Sequence, residues 1–282
     1  MEKSTSRVLP ATCACSLATV LAYGRRIAAD YEFEIVVDGV HVDTLYMSPT
    51  YLDDAVVGLQ LRDGKAKLGD HAVVERLERI GPLKYRLRAR LVEARSAIEP
   101  PQDGVVDWHV VESLYRSFTS KVSKRVCPYA VHAVAVYIID EQNRVRGEVL
   151  VADVSRHSAS LKAAGILSRL AAAGELKGRK LVAMVTGRVS SDLVAVMNAV
   201  GVYIIVSNHH PLLSGIYEAV KHGTTLVLRR PDNRGIAVYT AAWRLQGAPV
   251  IELRLGEYPP ESEPMSIKDK VQTAVASAVN ME

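Results

Sequence analysis

The feature that most constrains the fold of this chain is the alternation of short apolar runs with helix-length segments in its second half. Residues 180–185, 202–206 and 224–228 are rich in aliphatic side chains, and a segment long enough for a helix separates each from the next. Nearly continuous apolar strands are typical of a sheet buried on both faces, and strand–helix alternation is typical of parallel strands. We therefore predict an α/β fold in which helices cover a largely parallel sheet.

Two earlier runs, residues 131–139 and 145–151, flank a polar turn and predict a strand pair that belongs to the same sheet. This hairpin favours a mixed sheet over a wholly parallel one. Residues 236–239 predict a last strand. The helices are predicted over residues 106–123, 158–173, 190–200 and 211–222.

The first half predicts a smaller α+β unit. Residues 32–37 and 41–46 surround an Asp38-Gly39 turn, which is a strong hairpin signal. A short helix is predicted over residues 51–61. Residues 85–91 alternate basic with apolar side chains, as a half-exposed strand does.

The clearest break in the chain is the Glu-Pro-Pro-Gln-Asp-Gly run at residues 99–104. Proline and glycine in such a run interrupt helices and strands. We therefore predict an N-terminal α+β lobe over residues 1–104 and a larger α/β domain over residues 105–282.

Composition narrows the class of ligand. The net charge of +4 suits small anions but is too small for a dedicated nucleic-acid binder, and the aromatic content of 6% offers few stacking platforms. Three cysteines, Cys13, Cys15 and Cys127, are too few for a disulfide scaffold in 282 residues. We therefore expect a reducing, cytoplasmic location and no nucleic-acid partner.

The N-terminal segment superficially resembles a signal peptide. Lys3 and Arg7 precede an apolar stretch at residues 8–23, but Pro10 breaks it and Arg25-Arg26 follows without a clear cleavage site. No later segment approaches the ~20 uninterrupted apolar residues of a membrane helix. We therefore predict neither export nor a membrane partner.

Polar residues follow three of the predicted strands. The segments are residues 153–158, 186–190 and 207–211. Because the carboxyl ends of parallel strands share one edge of a sheet, we expect the three segments to lie together, where ligands of open α/β sheets bind.

Each of these segments also precedes a helix, whose free N–H groups attract anions. Arg156 and Arg188 can bind phosphate with two parallel hydrogen bonds, and Gly187 allows a close backbone approach. The alternative is that the Ser, Thr, Asn and Asp residues are ordinary helix caps. The series of three, each with Arg or His, favours a phosphate-bearing, nucleotide-like ligand.

Other candidates are weaker. His132 is either a core histidine or a ligand contact, and His209-His210 has no third partner at a metal-binding spacing. Cys127 follows two cations in the sequence, which would favour its thiolate form, although a structural cysteine is also common. A hydrolase with His157 or His132 as general base is an alternative, but the sequence offers no paired carboxylates or Ser–His–Asp set to support it.

Six segments occur in an order that carries a family resemblance. They are Cys127-Pro128-Tyr129-Ala130-Val131-His132-Ala133, residues 153–162, Thr186-Gly187-Arg188-Val189-Ser190, residues 207–212, residues 223–226 and Ala237-Val238-Tyr239. Together they resemble the formate dehydrogenase accessory sulfurtransferase family (FdhD/NarQ-like). The first half agrees more loosely, through residues 34–39 and Met47-Ser48-Pro49.

The resemblance implies a protein that matures molybdenum or tungsten enzymes. It implies a cytidine deaminase-like larger lobe and a homodimer. It also implies binding of the guanine dinucleotide form of the molybdenum cofactor, with a guanine nucleotide as its mimic. The implied partners are a cysteine desulfurase, which supplies sulfur as a persulfide, and formate dehydrogenase or a related molybdenum enzyme.

The resemblance also assigns site residues. Cys127 is the candidate sulfur carrier, because residues 92–125, where the family carries its loop cysteines, contain no cysteine. That departure leaves open a cofactor-binding chaperone without sulfurtransferase activity. The candidate cofactor-binding residues are His132, Arg156, His157, Lys162, Thr186, Gly187, Arg188, Ser207, Pro211 and Thr225.

Overall fold

A computed structural model shows how these segments are arranged. It describes residues 12–14, 19–22, 25–96, 98–123, 131–229 and 236–252. The helices are α1 (Leu52–Arg62), α2 (Trp108–Lys121), α3 (Arg156–Ala172), α4 (Ser191–Ala199) and α5 (Leu213–His222), with a 3-10 turn at Ala242–Arg244.

The strands in the first half are β1 (Thr12–Ala14), β2 (Thr19–Ala22), β3 (Arg25–Ala28), β4 (Tyr31–Val37), β5 (Val40–Met47), β6 (His71–Arg79) and β7 (Lys84–Val92). Those in the second half are β8 (Val106–Asp107), β9 (His132–Ile139), β10 (Val145–Asp153), β11 (Lys180–Val185), β12 (Val202–Ser207), β13 (Thr225–Arg229), β14 (Ile236–Val238), β15 (Leu245–Gln246) and β16 (Val250–Glu252).

Eight strands form the large sheet, in the order β1-β10-β9-β11-β12-β13-β14-β16. Strands β11, β12 and β13 pair in parallel, whereas β9 runs antiparallel to both of its neighbours, β10 and β11. Strands β10, β11, β12 and β13 therefore all run in one direction, and β9 runs in the opposite one. The predicted mixed α/β architecture is confirmed, and the cytidine deaminase-like detail stays a prediction.

Alternate residues of β9 belong to two different hydrophobic clusters. Val134 and Val136 pack with α1, α3 and α4, while Ala135 and Tyr137 pack with α2 on the opposite face. Both faces of the strand are covered, which explains its continuous apolar sequence.

A separate small sheet has the order β5-β4-β7-β6, with β4 parallel to β7. The inward residues Phe33, Ile35 and Leu87 are fully buried in the cluster that also contains α1 and α3. Strand β6 was not predicted from the sequence, because a bulge between Val74 and Arg76 interrupts its two-residue alternation.

Helices α1 and α3 touch through their backbones at two glycines. A Cβ atom at Gly58 would lie 2.0 Å from the carbonyl oxygen of Leu161, and one at Gly165 would lie 2.1 Å from that of Asp54. Only glycine fits at such a crossing. The contact joins α1, which packs on the small sheet, to α3, which begins at the edge where the ligand is predicted to bind.

The lobe boundary predicted at residue 104 stays a prediction. Among the described residues, no helix is both long enough and apolar enough to cross a membrane.

Candidate functional site

The three polar segments predicted to converge do lie at one edge of the large sheet. Strands β10, β11 and β12 run in the same direction, so Asp153, Val185 and Ser207 end at that edge. Strand β9 runs the other way and begins there, with His132 paired to Asp153. We call this edge, with Arg156, Gly187 and Arg188, the basic rim.

Gly187 lies close to both Arg156 and His132 at the basic rim. Its φ of +82° is a left-handed conformation that favours glycine. A Cβ atom there would lie 3.2 Å from Nη1 of Arg156 and 3.4 Å from Cε1 of His132. Three separate stretches of the chain therefore meet within one or two atomic diameters.

The basic rim carries two cations without a compensating carboxylate. Within the part of the chain that the structure describes, neither Arg156 nor Arg188 has an ion pair or a hydrogen bond. Burial and then the charge of Arg188 lower the pKa of Arg156, although a guanidinium stays protonated at neutral pH. Two unpaired guanidinium groups at one edge would both be stabilised by an anion.

Two helices begin at the basic rim. Ser155 caps α3 by accepting a hydrogen bond from the backbone N–H of Ser158 at 3.0 Å. Helix α4 follows Arg188 and Ser190, and no side chain caps its first turn. Both helices therefore direct the positive ends of their dipoles toward the side on which the arginines lie.

His132 and Thr186 line the same edge. The backbone N–H of Ala133 donates to Oγ1 of Thr186 at 2.8 Å, and that oxygen lies 3.5 Å from Nδ1 of His132. Burial and then the charge of Arg156 lower the pKa of His132. The imidazole is therefore neutral at pH 7 and can both donate and accept a hydrogen bond.

The segment at residues 207–211 is hydrogen-bonded to the segment at residues 186–190. The buried hydroxyl of Ser207 donates to the carbonyl oxygen of Gly187 at 2.7 Å and accepts from the N–H of His209 at 3.0 Å. The structure gives Ser207 a supporting contact rather than an exposed one. His210 Nδ1 lies 2.7 Å from the hydroxyl of Tyr239.

Helix α5 begins later than predicted. The sequence places its start at Pro211, but the helix begins at Leu213, with Leu212 as its cap. The N–H of Leu212 donates to the carbonyl oxygen of Val189 at 2.8 Å, so this residue is held in the loop. Pro211 therefore lies in the loop beside the basic rim, half-buried.

Lys162 lies against Asp153, the last residue of β10, and is not exposed at the basic rim. Its ammonium group is fully buried, forms an ion pair with Asp153 and donates to the carbonyl oxygen of Ser48 at 2.8 Å. Asp153 also accepts from the N–H groups of Ser48 and Val154. These contacts in a fully buried position support a structural role for Lys162, and its predicted contact with a ligand stays a prediction.

Thr225 is remote from the basic rim. It pairs with Ile204 near the start of β12, whereas Ser207, at the rim end of that strand, pairs with Leu228. Its buried hydroxyl donates to the carbonyl oxygen of Ala241 at 2.8 Å. The structure therefore separates Thr225 from the other predicted site residues.

His157 faces away from its neighbour Arg156 toward the first half of the chain. Its Nε2 atom lies 3.2 Å from Nη1 of Arg62, and its Nδ1 atom lies 3.9 Å from Oδ2 of Asp192. Burial and then Arg62 lower its pKa. The sequence analysis did not find Arg62, because it lies 95 positions from His157.

The cysteines give no structural evidence on sulfur chemistry. Cys127, with Lys124 and Arg125, lies outside the described residues, and so does Cys15. The backbone of Cys13 is in β1, paired with Leu150 of β10.

The fold and the basic rim define a mixed α/β protein in which two arginines and the N-termini of two helices lie at one edge of the large sheet. A family model described as the FdhD/NarQ family matches residues 84–246, more than half of the chain. The chain belongs to that family, which confirms the resemblance drawn from its motifs. The matched residues include the whole of the basic rim.

A solved structure agrees with the fold. It is a crystal structure described as a formate dehydrogenase accessory protein from Desulfotalea psychrophila, with a TM-score of 0.55 and 21% sequence identity. The match covers 81% of this chain and 96% of that one. At this identity, the likeness is evidence for the fold alone. No curated protein matches the chain at a significant level.

Proposed function

We propose that this protein takes part in the maturation of formate dehydrogenase or a related molybdenum or tungsten enzyme, and that it binds the guanine dinucleotide form of the molybdenum cofactor at the basic rim. The cofactor is here a substrate that is handed on. Family membership and the likeness to a formate dehydrogenase accessory protein support the maturation role. We further propose a cytoplasmic location and a homodimer.

The observation that carries the ligand assignment is the pair Arg156 and Arg188 beside Gly187, neither of which has a carboxylate partner among the described residues. Like charges at close range destabilise each other, and a bound diphosphate would reverse that effect. The first-turn N–H groups of α3 and α4 would add neutral donors. A dinucleotide carries its charge in a pyrophosphate, which matches two guanidinium groups and two helix ends.

The test is titration of the purified chain with GDP in a calorimeter, with ADP and inorganic pyrophosphate as comparison ligands. We expect Arg188→Ala to weaken GDP binding by about tenfold or more, because a charge-assisted hydrogen bond contributes roughly 1.5–3 kcal/mol. Arg90→Ala is the matched control, since Arg90 is exposed on the small sheet and pairs with Glu75.

Two results would contradict the proposal. One is the absence of GDP binding at millimolar concentration. The other is equal binding of GDP, ADP and pyrophosphate, which would leave an anion site without preference for guanine.

Sulfur transfer through Cys127 is the finer part of the proposal. Its support is the sequence: Cys127 lies five residues before His132, which begins the strand that enters the basic rim. In the reaction, the Cys127 thiolate attacks the terminal sulfur of a desulfurase persulfide. The S–S bond of the donor breaks, the donor leaves as a thiolate, and Cys127 holds the persulfide.

The second candidate function is a cofactor-binding chaperone without sulfur chemistry, which the absence of cysteine from residues 92–125 favours. Mass spectrometry after incubation with a cysteine desulfurase and cysteine separates the two. A gain of one sulfur on Cys127, kept in a Cys13→Ser/Cys15→Ser variant and lost in Cys127→Ser, supports the sulfurtransferase. No gain of sulfur on Cys127 supports the chaperone.

A further inference from the structure

Arg62 contacts the ring of His157 from the end of another helix. It lies at the last position of α1, with a side chain only 18% exposed, and its guanidinium contacts α3, β5 and the residue that caps its own helix. Nη1 lies 3.2 Å from Nε2 of His157, Nη2 lies 3.4 Å from Oδ2 of Asp43, and Nε donates to Asp63 at 2.7 Å. Three contacts hold the group in one orientation.

The chemistry of the two side chains fixes the position of a proton. A guanidinium can only donate hydrogen bonds, so Nε2 of His157 must accept with its lone pair. A neutral imidazole carries its single proton on the other nitrogen, which places it on Nδ1. A protonated His157 would present an N–H on Nε2 to the N–H of Arg62 and would lose the contact.

The charges around His157 favour the same neutral form. Arg62 and Arg156 are positive, while Asp192 on α4 and Asp43 on β5 are negative. Burial and the two arginines lower its pKa, and the two carboxylates only partly oppose that effect. The Nδ1–H group faces Asp192, whose Oδ2 is 3.9 Å away.

These contacts connect both arginine-bearing segments of the basic rim. His157 is in the first turn of α3, next to Arg156, and Asp192 is in the first turn of α4, four residues after Arg188. We propose that Arg62 is a positioning residue that holds His157 as the neutral Nδ1–H tautomer and thereby orients the first turns of α3 and α4 for anion binding. The part that concerns anion binding rests on the proposed function.

The experiment reads the tautomer directly. Long-range ¹H–¹⁵N spectra of histidine-labelled protein distinguish Nδ1–H, Nε2–H and doubly protonated rings, and His157→Gln identifies the signals. We expect Nδ1–H at pH 7 in the unmodified protein. Nε2–H or an imidazolium at pH 7 would overturn the inference, whether or not GDP binds.

Substitutions at Arg62 then test whether this residue keeps His157 neutral. In Arg62→Met the pKa of His157 should rise by about one unit, as expected when a charge within ~4–6 Å is removed and two carboxylates remain. Arg62→Lys should restore the neutral ring, and Arg90→Met should leave it unchanged. An unchanged pKa in Arg62→Met would refute the inference.

If Arg62→Met fails to fold, Asp192→Asn gives the complementary test. The Asp192 side chain is 58% exposed, and its loss should lower the pKa of His157 further. No shift in that variant would count against the arrangement.

The link to the ligand has its own readout. In Arg62→Met, GDP affinity should fall by about threefold to tenfold at pH 8, the size of a coupling through packed neighbours. The Arg90→Met control should show no such loss. If the unmodified protein binds GDP and Arg62→Met binds it equally well, the positioning role is rejected. If the unmodified protein does not bind GDP, the proposed function is rejected, and the result on the tautomer of His157 is unaffected.

Discussion

Replacement of Lys162 by methionine would test whether this residue supports the fold or contacts a ligand. Both Lys162 and Asp153 have 0% exposed side chains. Lys162→Met keeps the volume but leaves the Asp153 carboxylate buried without its counter-charge. Loss of one partner of a buried ion pair costs about 3–5 kcal/mol, so we expect the free energy of unfolding to fall by that amount.

A second substitution isolates the pair. Asp153→Asn keeps an oxygen that can accept from the N–H groups of Ser48 and Val154, but it removes the charge. The double variant Lys162→Met/Asp153→Asn should therefore recover much of the loss. Urea unfolding of the four proteins at pH 7.5 should give a coupling energy of about 2–3 kcal/mol.

Two results would refute this reasoning. A loss below about 1 kcal/mol for Lys162→Met would mean that the pair is not a buried support. A stable double variant that no longer binds GDP, while the unmodified protein does, would restore Lys162 as a ligand contact, as the sequence predicted.

Two further predictions concern the contact of α1 with α3. Burial raises the pKa of Asp54 to about 7 despite its ion pair with Arg169, so stability should fall as the pH rises from about 4 to 7. Asp54→Asn should therefore be more stable than the unmodified protein at pH 8, by on the order of 2 kcal/mol, and equal to it near pH 4 in urea unfolding; equal stability at pH 8 would contradict the assignment. Gly165→Ala would gain about 1 kcal/mol in an exposed helix, but its Cβ would lie 2.1 Å from a backbone oxygen, so thermal unfolding should show a net loss of about 2–3 kcal/mol, and a gain would contradict the contact.

The basic rim could be predicted from the sequence because its signals are local. Each of the strands β10, β11 and β12 is an apolar run that ends in polar residues before a helix. Parallel pairing then brings those ends together. His132, which the sequence left open as a core histidine or a ligand contact, lies at the same edge because β9 pairs antiparallel with β10 and begins where β10 ends.

Two of the predicted site residues, Lys162 and Thr225, lie apart from the two arginines because of the directions of the elements that carry them. Lys162 is six positions after Arg156 on α3, and six helical steps of about 100° turn its side chain to a different face. Thr225 begins β13, so it lies at the opposite end of the parallel strands. A motif identifies residue types in order, but it does not state where each side chain points.

Long-range contacts had no signal in the sequence at all. Arg62 meets His157 across 95 positions, and Ser48 meets Lys162 across 114. Such pairs depend on how α1 crosses α3, which two glycines permit. A single sequence contains no pattern that indicates where two helices cross.

The reversed direction of β9 has a consequence for anyone who would redesign this molecule. A peptide grafted immediately before His132 would be attached at the edge that carries the two arginines, whereas the same graft before Lys180 would be attached at the far end of the neighbouring strand. A new reactive group could therefore be supplied within the one polypeptide, with no second protein to carry it.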